Sequence, residues 1–174
     1  LYESAAVVRR FHTELIESLR NFASVELLYY DNSTSNTLAR WFGTMPGSAI
    51  VRYQHDPRNL GFSFANNELI LRSRYERILL LNPDVFGMND SLWRRIGALE
   101  AAGTARVVRL LKADGSFQDC IGDVATWRRA WTQRPDHSTL REEAEVGMGS
   151  MAFRLCDKDV FASVGLLDCD YPLY

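Results

Sequence analysis

Asp84 closes the segment Glu76-Arg77-Ile78-Leu79-Leu80-Leu81-Asn82-Pro83-Asp84-Val85, where a short aliphatic run stops abruptly at Asn-Pro-Asp. Such a run before a turn reads as a buried strand, and an acidic residue at its carboxyl end stands where open α/β sheets collect their ligands. One carboxylate at that lip can hold a divalent ion, because Mg²⁺ is typically bound by one or two carboxylates together with substrate phosphates and water. Asp84 is therefore the candidate metal ligand. The structural alternative is that Asn-Pro opens a turn and Asp84 is a loop carboxylate.

Two further polar clusters follow strand-like runs, Asp31-Asn32-Ser33-Thr34-Ser35 and Arg58-Asn59-Leu60-Gly61. In a parallel sheet, loops after successive strands converge on one edge, so the three clusters together weigh more than any one of them. Asp31 can accept from the imide N–H of a uracil or thymine ring, or close an Asx turn on its own backbone. Arg58 suits phosphate oxygens, although a single loop arginine is more often a solvated surface group. Gly61 allows a ligand close to the backbone or simply a positive φ. Asn66 and Asn67 stand near the start of a helix, where free amides attract anions and where Asn commonly caps.

The elements that must position these groups alternate along the first hundred residues. Val8, Phe11, Leu15, Leu19 and Phe22 repeat at three-four spacing and predict a helix from Ser4, a plausible cap, to Phe22. Strands are expected at 25–30, 49–53 and 77–81, with helices at 37–42, 64–74 and 90–102, the last capped by Asn89 or Asp90 and stopped by Gly103. Beyond it, 105–111, a Lys-Ala-Asp-Gly turn and 117–121 read as a hairpin. A helix at 124–131, a polar loop at 132–145, an extended run at 146–155 and a helix at 157–164 before Gly165 complete the pattern. Alternating strands and helices imply an α/β domain, Rossmann-like, with a mainly parallel sheet, helices on both faces and an antiparallel extension in the second half.

With 174 residues the chain suits one domain. Its 20 basic and 22 acidic residues give a net charge of −2 and argue against nucleic-acid binding. Cys120, Cys156 and Cys169 have neither zinc nor disulfide spacing, which points to a reducing, cytoplasmic setting. No apolar stretch approaches the roughly 18 residues of a membrane span. His12, His55 and His137 form no ligand pair. Of the tryptophans, Trp41 and Trp93 read as packing residues, while Trp127 and Trp131 share a helix face that could line an acceptor groove.

In order and spacing, six segments match a known family: YES at Tyr2 to Ser4, YYDNSTSN at Tyr29 to Asn36, NLGFSFANN at Asn59 to Asn67, LLLNPDV at Leu79 to Val85, LLKADGSFQ at Leu110 to Gln118 and VFASVGLLD at Val160 to Asp168. The chain resembles the family-two glycosyltransferases of GT-A fold, and among them the rhamnosyltransferase-like branch that builds bacterial surface polysaccharides. The resemblance implies inverting transfer of a sugar from a nucleoside diphosphate to a glycan or lipid-linked acceptor hydroxyl, assisted by Mg²⁺ or Mn²⁺. Asp31 matches the base-binding carboxylate, Asp84 the closing Asp of a DxD-like metal motif, and Tyr2 and Glu3 the Tyr-Asn beside the nucleobase. Asn59 and Gly61 match the loop under the donor. Asn82 stands for the first Asp of DxD, Phe64 and Met151 replace smaller residues, and Cys169 follows Asp168 where Glu is usual.

By the same resemblance, residues 1–103 form the nucleotide-sugar-binding half and 104–174 the acceptor-side half of one domain cut at both ends. The family's first strand falls before Tyr2 and its Glu-Asp catalytic base just after Tyr174, with Asp168 an acceptor-side candidate. The implied donor is dTDP-rhamnose first, a UDP- or GDP-hexose next, and the implied location is cytoplasmic, with peripheral attachment at the inner membrane. Two rival readings are a nucleotidyltransferase and a non-catalytic scaffold domain of a larger polysaccharide-assembly protein.

Overall fold

The computed structural model describes residues 1–100, 103–122 and 144–171. The expected helix at 124–131, most of the polar loop after it, and Trp127, Trp131 and His137 lie outside them.

The apolar repeat of the amino-terminal segment folds as α1, Ala5–Leu19, and turns Val8, Phe11, Leu15 and Leu19 inward with His12. Then β1 (Leu27–Asp31), α2 (Thr37–Gly43) and β2 (Val51–His55) follow. Strands β1 and β2 pair in parallel with Leu27 opposite Val51 and Asp31 opposite His55, so both polar clusters leave the sheet at the same edge. Leu1 extends this ladder on the far side of β1, where its backbone nitrogen donates to Tyr30 O and its carbonyl accepts from Asn32 N.

Helix α3, Gly61–Arg72, leads into β3, Arg77–Leu81. The helix starts three residues before the expected Phe64, which corrects the placing of Asn66 and Asn67 at its opening: both lie one turn or more inside it. Helix α4 covers Asp90–Ala98, with Asn89 Oδ1 accepting from Leu92 N at 3.0 Å as the predicted cap. After it come the short strands β4 (Arg106–Val107), β5 (Ile121–Gly122) and β6 (Met148–Gly149), then β7 (Phe153–Asp157) and α5 (Lys158–Val164). The predicted hairpin survives as a bridge between Leu111 and Phe117 around the Lys112–Gly115 turn.

The molecule is mixed α/β, but its described strands do not form one mainly parallel sheet. Only β1 and β2 are parallel; β3 pairs antiparallel with β7, which also holds β4, while β5 and β6 make a separate antiparallel pair. The expectation failed because β3 is apolar on both faces, with Ile78 and Leu80 buried and Leu79 and Leu81 half-buried. A two-sided apolar run requires covered faces and carries no information about its neighbour's direction.

Alternation along β3 sends its side chains to two cores. Leu79 and Leu81 join Phe11, Leu15, Tyr29, Trp93 and Phe153 beneath α1 and α4. Ile78 and Leu80 meet Ile70 of α3, Met151 and Phe161 of α5 on the other face. Helices thus cover both faces, and the first core draws on both larger sheets. No described helix is long and apolar enough to cross a membrane.

Candidate functional site

At the carboxyl ends of β1 and β2 a polar network replaces the apolar core. Asp31 is fully buried: its Oδ1 accepts from Ser33 N at 3.0 Å and Ser33 Oγ at 2.6 Å, and its Oδ2 from the Tyr53 hydroxyl. The Asx turn, one of the two readings of this residue, is what forms. Asn32 uses both ends of its amide on the neighbouring loop, donating to Gly61 O at 3.1 Å and accepting from Leu60 N at 3.3 Å. That fork ties the start of α3 to the end of β1.

Glu3 comes to the same edge. Its nitrogen donates to Ser33 Oγ, and its carboxylate accepts from the nitrogen and hydroxyl of Thr34 at 2.8 and 2.7 Å. Those Thr34 hydrogen bonds, the hydroxyl's first, hold the Glu3 carboxyl below its ordinary range. Tyr2 beside it is exposed. Arg58 forks onto Asp56, and this hydrogen bonding pulls the Asp56 carboxyl far below its usual value. The guanidinium stays on the surface while Asp56 is buried against the Tyr30 hydroxyl.

Two non-glycine residues here adopt left-handed backbone, Glu3 at φ 43° and Asn59 at φ 48°. Such conformations cost on the order of 1–3 kcal/mol and concentrate at ligand-binding edges. Gly61, at φ 87°, opens α3 in a conformation that glycine alone takes readily.

Asp84 lies apart from this cluster, in the turn after β3 of the three-stranded sheet. It is exposed, and among the described residues no group hydrogen-bonds or pairs with its carboxylate. With Asn82 it lines a cavity of about 480 Å³. Val85, Phe86, Met88 and Phe153 give this cavity an apolar lining, to which Arg109, Gln118 and Ser150 add polar groups. A carboxylate and a neighbouring amide oxygen suit a hard cation. Among the described residues no cluster of three or more His, Cys, Asp or Glu side chains could hold a metal by itself, so an ion at Asp84 would need further oxygens from a ligand such as a diphosphate.

Of the residues expected at the site, Tyr2, Glu3, Asp31, Arg58, Asn59 and Gly61 gather at the β1–β2 edge, while Asn82 and Asp84 share the cavity. Asp31 and Asn59 do not line that cavity. Asn66 is not at the helix opening, and its amide donates back to Phe62 O at 2.8 Å. Asp168 closes a turn, accepting from Asp170 N at 2.9 Å. His12 is a core residue bonded to the Tyr29 hydroxyl, and His55 meets Ser33 O. All three cysteines are free.

Comparison with family models, with curated proteins and with solved structures returns no match. The geometry of the site therefore carries the functional argument.

Sequence reasoning missed Asp56, which fixes Arg58, and Tyr53, which fixes Asp31. An Asp two residues before an Arg just past a strand was the available signal for the first. The second depends on strand register, which no local pattern displays. Arg109 and Ser150 were also missed, because only folding brings them to the cavity.

Proposed function

We propose that the chain is the donor-binding part of an inverting glycosyltransferase of GT-A type that uses a nucleoside diphosphate sugar. The observation that carries this reading is the cluster of hydrogen-bonded groups at the β1–β2 edge, Glu3–Ser33–Asp31, Asn32–Gly61 and Arg58–Asp56, drawn from three separate stretches of sequence. The motif order supports it, as does the Asp84 carboxylate, which lines a cavity and has no partner among the described residues.

In this reading the β1–β2 edge receives the nucleoside, with Tyr2 and Asn59 exposed beside it. Asp84, helped by Asn82, would hold Mg²⁺ or Mn²⁺, which would stabilise negative charge on the leaving diphosphate. The acceptor hydroxyl would lose its proton to a carboxylate base and bond to the anomeric carbon as the sugar–diphosphate bond breaks. General-base assistance of this kind typically contributes about a hundred- to ten-thousandfold. The donor is dTDP-rhamnose or a UDP- or GDP-hexose, the acceptor a glycan or lipid-linked oligosaccharide, and the place of action the cytoplasmic side of the inner membrane.

One observation favours the scaffold reading instead: both Asp31 oxygens are already occupied by Ser33 and Tyr53 inside the protein. Base recognition at this edge then falls to backbone groups and to Tyr2, with Asp31 shaping the loop. Calorimetric titration with dTDP, UDP and GDP, with and without Mn²⁺, separates the two. Metal-dependent binding of one nucleotide supports the enzyme, and no binding of any supports the scaffold.

A further inference from the structure

The loop between β2 and α3 is fastened to the end of β1 at two points. Asp56 N donates to Asp31 O at 2.9 Å, and Leu60 N donates to Asn32 Oδ1 at 3.3 Å. Between them the chain folds back on the Asp56 carboxylate. Its Oδ1 accepts from Arg58 N at 3.1 Å and from Arg58 Nε at 2.9 Å; its Oδ2 accepts from Arg58 Nη2 and, at 3.2 Å, from the buried Tyr30 hydroxyl. The Arg58 hydrogen bonds hold this carboxyl far below its usual range, so it is a charged anchor at neutral pH.

Arg58 is thereby a fork with one edge occupied. Nε and Nη2 are turned onto Asp56, whereas Nη1 and the second N–H of Nη2 have no partner among the described residues. The Arg58 side chain is 71% exposed against 11% for Asp56, so the open edge meets solvent. Those donors lie side by side in one plane, a geometry that matches two oxygens of a phosphate. The need for them is local. Segments 32–36 and 56–60, which follow the two strands, hold no Lys or Arg other than Arg58, while Glu3, Asp31 and Asp56 bring carboxylates to the same edge. An anion approaching that edge is repelled unless directed N–H groups receive it. Because Asp56 offsets the Arg58 charge, the fork acts through direction, which the point charge of a lysine does not reproduce.

We propose that Asp56 is a positioning residue: it holds the Arg58 guanidinium at the β1–β2 edge so that the open Nη1–Nη2 edge receives two phosphate oxygens of the bound nucleotide. The inference rests on the nucleoside diphosphate reading for the ligand and on the hydrogen bonds alone for the fork. Asp56 touches no ligand and acts through Arg58.

Calorimetric titration of the full chain with Mn²⁺ throughout tests it, using dTDP, UDP and GDP, their nucleosides read by displacement, and inorganic pyrophosphate. Arg58→Gln and Asp56→Asn should each weaken the nucleoside diphosphate at least fivefold and leave its nucleoside within twofold. Arg58→Lys should not restore the loss. The double variant should match Arg58→Gln within twofold, as expected when one residue acts through the other. In the parent, ¹⁵N relaxation at Arg58 Nε should report a rigid side chain, a reading that needs no variant to fold. Diphosphate affinity unchanged in Arg58→Gln, an equal loss for the nucleoside, recovery in Arg58→Lys, additive losses, or a freely moving Arg58 Nε would each overturn the inference and leave the nucleotide reading in place. Pyrophosphate bound as tightly as the nucleotide would make the fork a free-phosphate site and overturn the nucleotide as its ligand. A parent chain that binds no nucleotide would overturn both readings.

Discussion

The Tyr53 hydroxyl of β2 reaches diagonally across the parallel pair to Asp31 Oδ2 at 2.5 Å, joining a strand interior to the polar edge. Asp31 has no exposed surface, so this bond cannot be replaced by water without a rearrangement. Removing one donor from a buried charged acceptor costs about 1.5–3 kcal/mol. Tyr53→Phe should therefore lower unfolding stability by that amount in urea titration, and a loss well under 1 kcal/mol would show that Ser33 alone satisfies the carboxylate.

His12 sets a pH dependence. Burial among Tyr29, Trp41 and Phe42 lowers its pKa in the folded chain, whereas the unfolded chain takes up a proton near about 6.5. More protons on the unfolded state means that stability rises with pH. The contribution is fully present above about 6.5 and declines as pH falls toward the folded value, by at most roughly 1.4 kcal/mol per pH unit. Urea midpoints should drop between pH 7.5 and pH 5.5, and His12→Gln should flatten the difference; an equal slope in the variant would assign it to other groups.

The two helix starts that the sequence marks should respond oppositely. Asn89 caps α4 with its side chain, so Asn89→Ala should cost about 1 kcal/mol. Ser4 occupies the cap position of α1, yet its hydroxyl makes no capping bond and is buried without a partner among the described residues. Ser4→Ala removes an unsatisfied group and should leave stability unchanged or raised, as read by thermal unfolding.

Asp84 tests function without testing the fold. Its carboxylate is exposed and has no partner among the described residues, so Asp84→Ala should change stability by no more than about 0.5 kcal/mol. Mn²⁺-dependent nucleotide affinity should be lost in the same variant. Retained metal dependence would move the ion site away from this carboxylate.

Local chemistry was legible where it acts over a few residues. The three-four stripe of α1 and the Asn89 cap are written in adjacent side chains, and the β3 run matches its predicted bounds, Arg77 to Leu81. The start of α3 was not legible, because Gly61 reads as a loop residue until Asn32, 29 positions earlier, bonds its carbonyl. The antiparallel placing of β7 against β3 was hidden for a related reason: apolar alternation reports burial and leaves direction to the connection. At the site, residue types near strand ends were readable. Their grouping into one edge and one cavity depended on register and on the return of residues 108–118 to Asp84.

The central claim is that the β1–β2 edge and Asp84 grip one ligand through one cation. Paramagnetic broadening of amide resonances by Mn²⁺, in the presence of dTDP or UDP, tests it most directly. Val85 and Gly87 beside Asp84 should broaden together with Ser33 and Thr34, and Asp84→Ala should abolish both effects. Broadening confined to one of the two groups, or unaffected by Asp84→Ala, would contradict it.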